Sequence, residues 1–271
     1  MNVHFFCHPK PWLPEFASIQ RSAIESWLQL KPTSITLLGN DQGTAEAAKH
    51  YGLRHLGDVQ CNEWGTPLVS SIFERIRGVT QPDDIVCYIN ADIILDETFP
   101  LTVNALKEQA VGKKEWLAVG KRTDVDLAID DDGYPTHITV ADAQQLADER
   151  GSDHGWSGID YFIFPSRTFM FVYPFALGKF VWDQWLVGNA FRRGLWTVDC
   201  SKTLLAIHLN CPWYRDGQPT EDRQAIHDSE EGTKNRSFDY YQKTILSGTK
   251  FESKLDKQGR VKFEEKTLIP E

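Results

Sequence analysis

The sequence predicts an α/β fold: a mostly parallel central sheet flanked by helices, with a less regular C-terminal half. Three observations point there. Short apolar runs alternate with amphipathic helical patterns through the first hundred residues. The runs are apolar at nearly every position, as in strands buried on both faces. Gly and Pro punctuate the joins. With 41% hydrophobic residues, 9 Trp and 15 Phe among 271 residues, the chain can bury a sizeable core.

The elements follow in order. "VHFF" (3–6) reads as a strand ending at His8-Pro9. "EFASIQRSAIESWLQL" (15–30) places Phe16, Ile19, Ala23, Trp27 and Leu30 on one helical face, and Pro32 ends it. "SITLLG" (34–39) is a second strand, "TAEAAKHYG" (44–52) a helix closed by Gly52, and "RHLG" (54–57) a short strand. "TPLVSSIFERIRG" (66–78) reads as a helix opened by Thr-Pro and closed by Gly78. "DIVCYI" (84–89) is a buried strand.

Further on, "TVNALKEQAV" (102–111) is helical, "WLAVGKR" (116–122) a strand and "DDDGYP" (130–135) an acidic turn. "DYFIFP" (160–165) is a strand, "FVWDQWLVGNAFRRG" (180–194) a helix and "TLLAIHLN" (203–210) a strand. Residues 1–246 read as a single domain, and 247–271 as a weakly packed tail.

The formal net charge of -9 argues against a duplex or membrane-surface binder, so no nucleic-acid partner is expected. A phosphate ligand stays admissible, because a metal ion can supply the positive charge locally. No stretch approaches the ~20 apolar residues of a spanning helix. The N-terminus reads as a first strand, not a signal peptide. Cysteines 7, 61, 87, 200 and 211 show no CxxC spacing, which fits reduced thiols and a cytoplasmic location better than a disulfide framework or a zinc site.

The chemistry gathers where "DIVCYI" ends. Asn90-Ala91-Asp92 follows it, and in parallel sheets ligands bind beyond the C-terminal strand ends. A carboxylate there suits Mg²⁺ or Mn²⁺. It also suits a plain turn cap. His8 and Asp41 end strands by the same reading.

The set "SIQRSAIESWLQL", "ITLLGNDQG", "EWGTPLVSSIF", "YINADIIL", "GIDYFIFP", "FALGKFVWDQWLV" and "TLLAIHLN" resembles a bacterial glycosyltransferase-like family. That family belongs to the nucleotide-diphospho-sugar transferases of GT-A type. The likeness covers roughly 3–210, and "NAD" stands where that family carries its DxD motif. The resemblance implies a nucleotide-binding half over 1–125 and an acceptor and catalytic half over 126–246.

The resemblance also implies roles. Asp92 binds the metal, and His208 supplies a second ligand, Mn²⁺ or Mg²⁺ being the ion. Neutral imidazole suits Mn²⁺, although a buried histidine is also often only hydrogen-bonded in a core. Asn90 replaces the first acid and acts through water or on the donor sugar. Asp41 meets the base or ribose, or forms an Asx turn with Gly43. His8 and Lys10 lie near the same pocket, Lys10 within reach of a phosphate. Thr66 precedes a helix whose N–H groups face the donor, or merely caps it. Asp183 and Asp160 are the candidate catalytic acids; for Asp183 the alternative is a carboxylate favoured by the helix dipole. Arg122 pairs with a phosphate, or with Asp124 or Asp126.

The expected reaction is sugar transfer from a nucleoside-diphosphate donor. The residues leave open whether the acceptor is a saccharide, lipid-linked or a small molecule. A nucleotidyltransferase is the nearest rival, but "CHPKPW" lacks the Gly-rich loop such enzymes carry after the first strand. A non-catalytic nucleotide-sugar binder stays open because of Asn90. A metal hydrolase lacks any HxH or HExxH pairing. If Asp92 and His208 share one ion, their ligand atoms are expected within roughly 4–7 Å.

Overall fold

In the computed structural model, residues 3–155, 158–210, 223–238 and 249–266 are described. Their layering follows from alternation along the strands. In β1 (His4–Cys7), Phe5 and Cys7 enter one core cluster and Phe6 the other. In β4 (Ile85–Ile89), Ile85, Cys87 and Ile89 enter the first, Val86 and Tyr88 the second. Both faces are covered, so these strands read as unbroken apolar runs.

The central sheet also holds β2 (Ser34–Leu38), β3 (Arg54–Leu56), β6 (Trp116–Lys121), β9 (Ile159–Pro165), β10 (Trp196–Asp199), β12 (Phe251–Leu255) and β13 (Val261–Glu265). Its order is β13-β12-β10-β6-β9-β4-β1-β2-β3. Five of the eight neighbouring pairs are parallel; β9 runs against both β4 and β6, and β13 against β12. Trp27 of α1 (Pro14–Gln29), Ala47 of α2 (Thr44–Tyr51) and Phe99 of α4 (Thr98–Gln109) pack on one face. Phe73 of α3 (Val69–Arg77) and Trp185 of α6 (Trp182–Arg192) pack on the other. The mixed α/β architecture, a large central sheet flanked by helices, is therefore present as expected.

A second sheet of four strands was not foreseen. It runs β5 (Ile93–Leu95), β11 (Ala206–Asn210), β7 (Thr123–Asp126), β8 (Ser152–Asp153), with Ala143 of α5 (Val140–Arg150) packed against it. The turn at Asn90-Ala91-Asp92 is the elbow by which the chain leaves β4 for β5. The strand carrying His208 lies in this second sheet and not in the central one, antiparallel to β5 and parallel to β7. Composition alone does not separate the two, because β11 is as apolar as a central strand.

Three further expectations are corrected. The helix read from Thr66 begins at Val69, because Pro67 and Leu68 are held extended by bridges to Cys61 and Ala176. The helix read from 102 begins at Thr98, with Pro100 in its first turn, where the missing N–H costs nothing. The tail read as weakly packed supplies β12 and β13, whose Phe251 and Phe263 pack on Trp196. These strands bury one face only and so read as polar. Among the described residues no helix is long and apolar enough to cross a membrane.

Candidate active site

β1, β2 and β4 are parallel neighbours, so the residues after them share one edge of the sheet. His8 follows β1, its Nε2 3.4 Å from Asp41 Oδ2 beyond β2. The ring lies against Gly39, whose φ is +91°; a Cβ there would stand 2.2 Å from His8 Nε2. Burial pushes the His8 pKa down, partly opposed by Asp41. Lys10 reaches across the edge, Nζ 3.9 Å from Asp92 Oδ2, while Gln20 Nε2 donates to the Lys10 carbonyl at 3.0 Å.

The elbow places Asn90 and Asp92 in different partnerships. Asn90 Nδ2 donates to Asp160 Oδ1 at 2.5 Å, and Asn90 N to the Asp160 carbonyl at 3.0 Å. The other oxygen of Asp160 accepts from Arg122 Nη1 at 2.5 Å, so both carboxylate oxygens are engaged. Arg122 Nε donates to Asp124 Oδ1 at 2.9 Å, realising one of the two acid pairings open to it.

Asp92 turns toward β11. The β5–β11 register sets His208 opposite Ile93, and Leu209 N donates to the Asp92 carbonyl at 2.9 Å. His208 Nε2 then stands 3.5 Å from Asp92 Oδ2. That is closer than expected from the sequence. Two ligands each about 2.1 Å from one ion span at most ~4.2 Å, so the observed separation is one a shared cation bridges. Asp92 Oδ1 is buried and has no hydrogen-bond partner among the described residues. A buried orphan oxygen is costly, and a cation would satisfy it. Among the described residues no three His, Cys, Asp or Glu form a preformed metal cage. Mg²⁺ and Mn²⁺ sites often complete their shell with water and substrate phosphate, so two protein ligands fit.

The electrostatics are those of a balanced cluster. Burial alone would raise the Asp92 pKa, but His208, Lys10 and Arg122 hold it well below the usual carboxylate range. Asp124 likewise resists burial through His208, His154 and Arg122. Burial would lower His208, yet Asp92 and Asp124 push it up to about 9. This favours the protonated ring, and a cation held at Nε2 would have to displace that proton.

Asp183 is the second residue of α6, where its Oδ1 accepts from Gln184 N at 2.9 Å. Val181, just before the helix, has φ +76°, an outlier for a β-branched residue. Burial raises the pKa of Tyr88 most, and the charges of Cys7, Asp160, Asp92 and Asp183 add to it. Trp182 and Trp185 flank Asp183 but are buried in the core, 8% and 2% exposed, so they are not open stacking platforms. Thr66 belongs to a different cluster. Its N–H donates to Asn62 Oδ1 and it bonds Glu231 of the helix Glu230–Phe238, beside a cavity of about 260 Å³ lined by Cys61, Leu68, Ala176 and Asn235.

Sequence reading missed His154 and Asn210, and it took Asp124 only as a partner open to Arg122; all three surround Arg122 and His208. One signal was present: Arg122, Asp124 and Asp126 alternate in "RTDVD", the period that puts charged side chains on one face of a strand.

No family model matches the chain, and no curated protein matches it. Solved structures do. Mannosyl-3-phosphoglycerate synthase from Rubrobacter xylanophilus is 17% identical over 98% of this chain and 84% of its own, at TM-score 0.47. Glucosyl-3-phosphoglycerate synthase from Mycobacterium tuberculosis, in complex with Mn²⁺, UDP-glucose and phosphoglyceric acid, is 19% identical over 83% and 75%, at TM-score 0.45. The inositol-1-phosphate CTP transferase from T. maritima is 11% identical over 84% and 97%, at TM-score 0.45. All three are remote, with TM-scores below 0.5, and none informs the chemistry of the site.

Proposed function

We propose that this chain is a GT-A-type glycosyltransferase, moving a sugar from a nucleoside-diphosphate donor to an acceptor hydroxyl. Asp92 and His208 would hold Mn²⁺ or Mg²⁺. The observation that carries this reading is their 3.5 Å approach at a sheet elbow, with Asp92 Oδ1 buried and unpartnered among the described residues. When bound, the ion supplies Lewis-acid neutralisation of the diphosphate leaving group.

The chain's own residues do the rest. Lys10, beside Asp92, adds positive charge for the donor phosphates. His8 and Asp41 line the strand ends where the base and ribose would sit, their side chains 6% and 36% exposed. Asn90 is aimed by Asp160 at the donor sugar, and Asp160 in turn is anchored by Arg122. Asp160 therefore positions groups more readily than it takes a proton. Asp183 is the base: it takes the acceptor proton as the new C–O bond forms and the bond to the diphosphate breaks. The left-handed Val181 before it supports this, since such strain gathers at functional sites.

Thermal shift with UDP, GDP, CDP and UMP, each with and without Mn²⁺, tests the donor class, followed by donor hydrolysis. Metal-dependent stabilisation with release of the nucleoside diphosphate supports transfer. Turnover of a nucleoside triphosphate with a sugar phosphate would replace it by nucleotidyl transfer. Binding with Asp183-independent traces of hydrolysis only would leave a non-catalytic binder.

A further inference from the structure

We propose that Asp124 and Asn210 are positioning residues that fix the tautomer of His208 and aim its Nε2 at the cation site. This rests on the reading of Asp92 and His208 as metal ligands. Asp124 Oδ1 lies 3.1 Å from His208 Nδ1, and Asn210 Oδ1 lies 3.0 Å from the same nitrogen. Both side chains are buried, with Asp124 4% and Asn210 9% exposed.

The orientation of the Asn210 amide is set at its other end. Its Nδ2 donates to Asp126 Oδ1 at 2.8 Å, and an ionised carboxylate only accepts. The amide oxygen therefore faces the ring. Two acceptors converge on Nδ1, so Nδ1 carries the hydrogen. The remaining nitrogen, Nε2, faces Asp92 at 3.5 Å. A neutral imidazole protonated on Nδ1 ligates through Nε2.

The scaffold is built from strand register. In the parallel β7–β11 pair, His208 stands opposite Asp124 and Asn210 opposite Asp126. Asp124 is itself pinned, by Arg122 Nε at 2.9 Å and His154 Nδ1 at 2.6 Å. The ring is thus oriented by groups that are held in turn, the condition for a ligand whose geometry does not drift.

The test uses Mn²⁺ alone, its binding followed by loss of the free-ion EPR signal. Loss of an outer partner of a ligating histidine weakens metal affinity about 10–100-fold. Asp124→Asn and Asn210→Ala should each fall in that range. In a His208→Gln background the same substitutions should change nothing further, a null that general loosening of the fold would not give. A second measurement needs no variant: with Zn²⁺ as diamagnetic probe, ¹⁵N–¹H NMR should find the His208 ring proton on Nδ1. Unchanged Mn²⁺ affinity in both variants would overturn the proposal and leave Asp92 and His208 as ligands; a ring proton on Nε2 in the Zn²⁺-loaded protein would overturn it together with ligation through Nε2. An Asp92→Ala protein that binds Mn²⁺ like the parent would instead overturn the ligand assignment itself.

Discussion

Asp92 shows how much one side chain decides. Its buried Oδ1 has no partner among the described residues, while Oδ2 is shared between His208 and Lys10. A cation that fills this gap also offsets the repulsion between an acidic chain and a diphosphate. A nucleoside diphosphate at about 100 times its Kd stabilises a folded protein by ~2.7 kcal/mol. That gain is expected with Mn²⁺ and absent in EDTA, as read by thermal shift. Asp92→Ala should abolish it while leaving the far-UV spectrum intact; equal stabilisation in EDTA would sink the idea. His8 gives a pH dependence. Its folded pKa lies below the ordinary value of about 6.5, so the unfolded chain takes up the proton first. Its contribution to stability is complete above about pH 6.5 and is lost as pH falls below that toward the folded pKa. Tm should therefore drop on acidification below pH 6.5 less steeply in His8→Gln than in the parent.

Among the elements, β5 shows why the elbow holds its shape. It is the edge of the small sheet, so its outward backbone groups need partners from elsewhere. Helix α1 supplies them: Trp27 Nε1 donates to the Ile93 carbonyl at 2.8 Å, and Ser26 Oγ accepts from Leu95 N at 3.2 Å. Trp27 is completely buried. Trp27→Phe removes the donor and leaves a buried carbonyl unpaired, a loss of about 1–3 kcal/mol. Urea unfolding with an unchanged m-value should show that loss, and Mn²⁺ affinity should weaken as the turn at Asp92 loosens. A variant as stable as the parent would mean that the Ile93 carbonyl finds another partner.

For the whole molecule, the last two strands matter. β12 pairs with β10, and β13 closes the sheet beyond it. Trp196 meets Phe251 at 6.1 Å and Phe263 at 5.4 Å between ring centroids. Fully burying one aromatic is worth about 1.5–3 kcal/mol, and these three rings are each partly buried. Ending the chain after residue 248 should lower Tm by roughly 5–10 °C and expose the β10 edge to self-association. Light scattering and calorimetry would show both. An unchanged Tm would restore the reading of this segment as a tail.

The sequence by itself determined the α/β class, most strands and helices of the first half, and the placing of His8, Asp41, Asn90 and Asp92 after strands. Those features are local: apolar runs, caps and turns report them within a dozen residues. It also singled out Asp92 and His208, 116 positions apart (208 − 92), through a resemblance and not through geometry. Only the tertiary structure decided how they meet. The chain breaks from one sheet into another at Asp92, and antiparallel register with β5 brings His208 alongside. That Asp124 and Asn210 would flank the His208 ring was likewise decided by register in the second sheet. Register depends on pairing between distant segments, and a one-residue slip would turn every one of these side chains to the opposite face. No local pattern in the sequence carries that information.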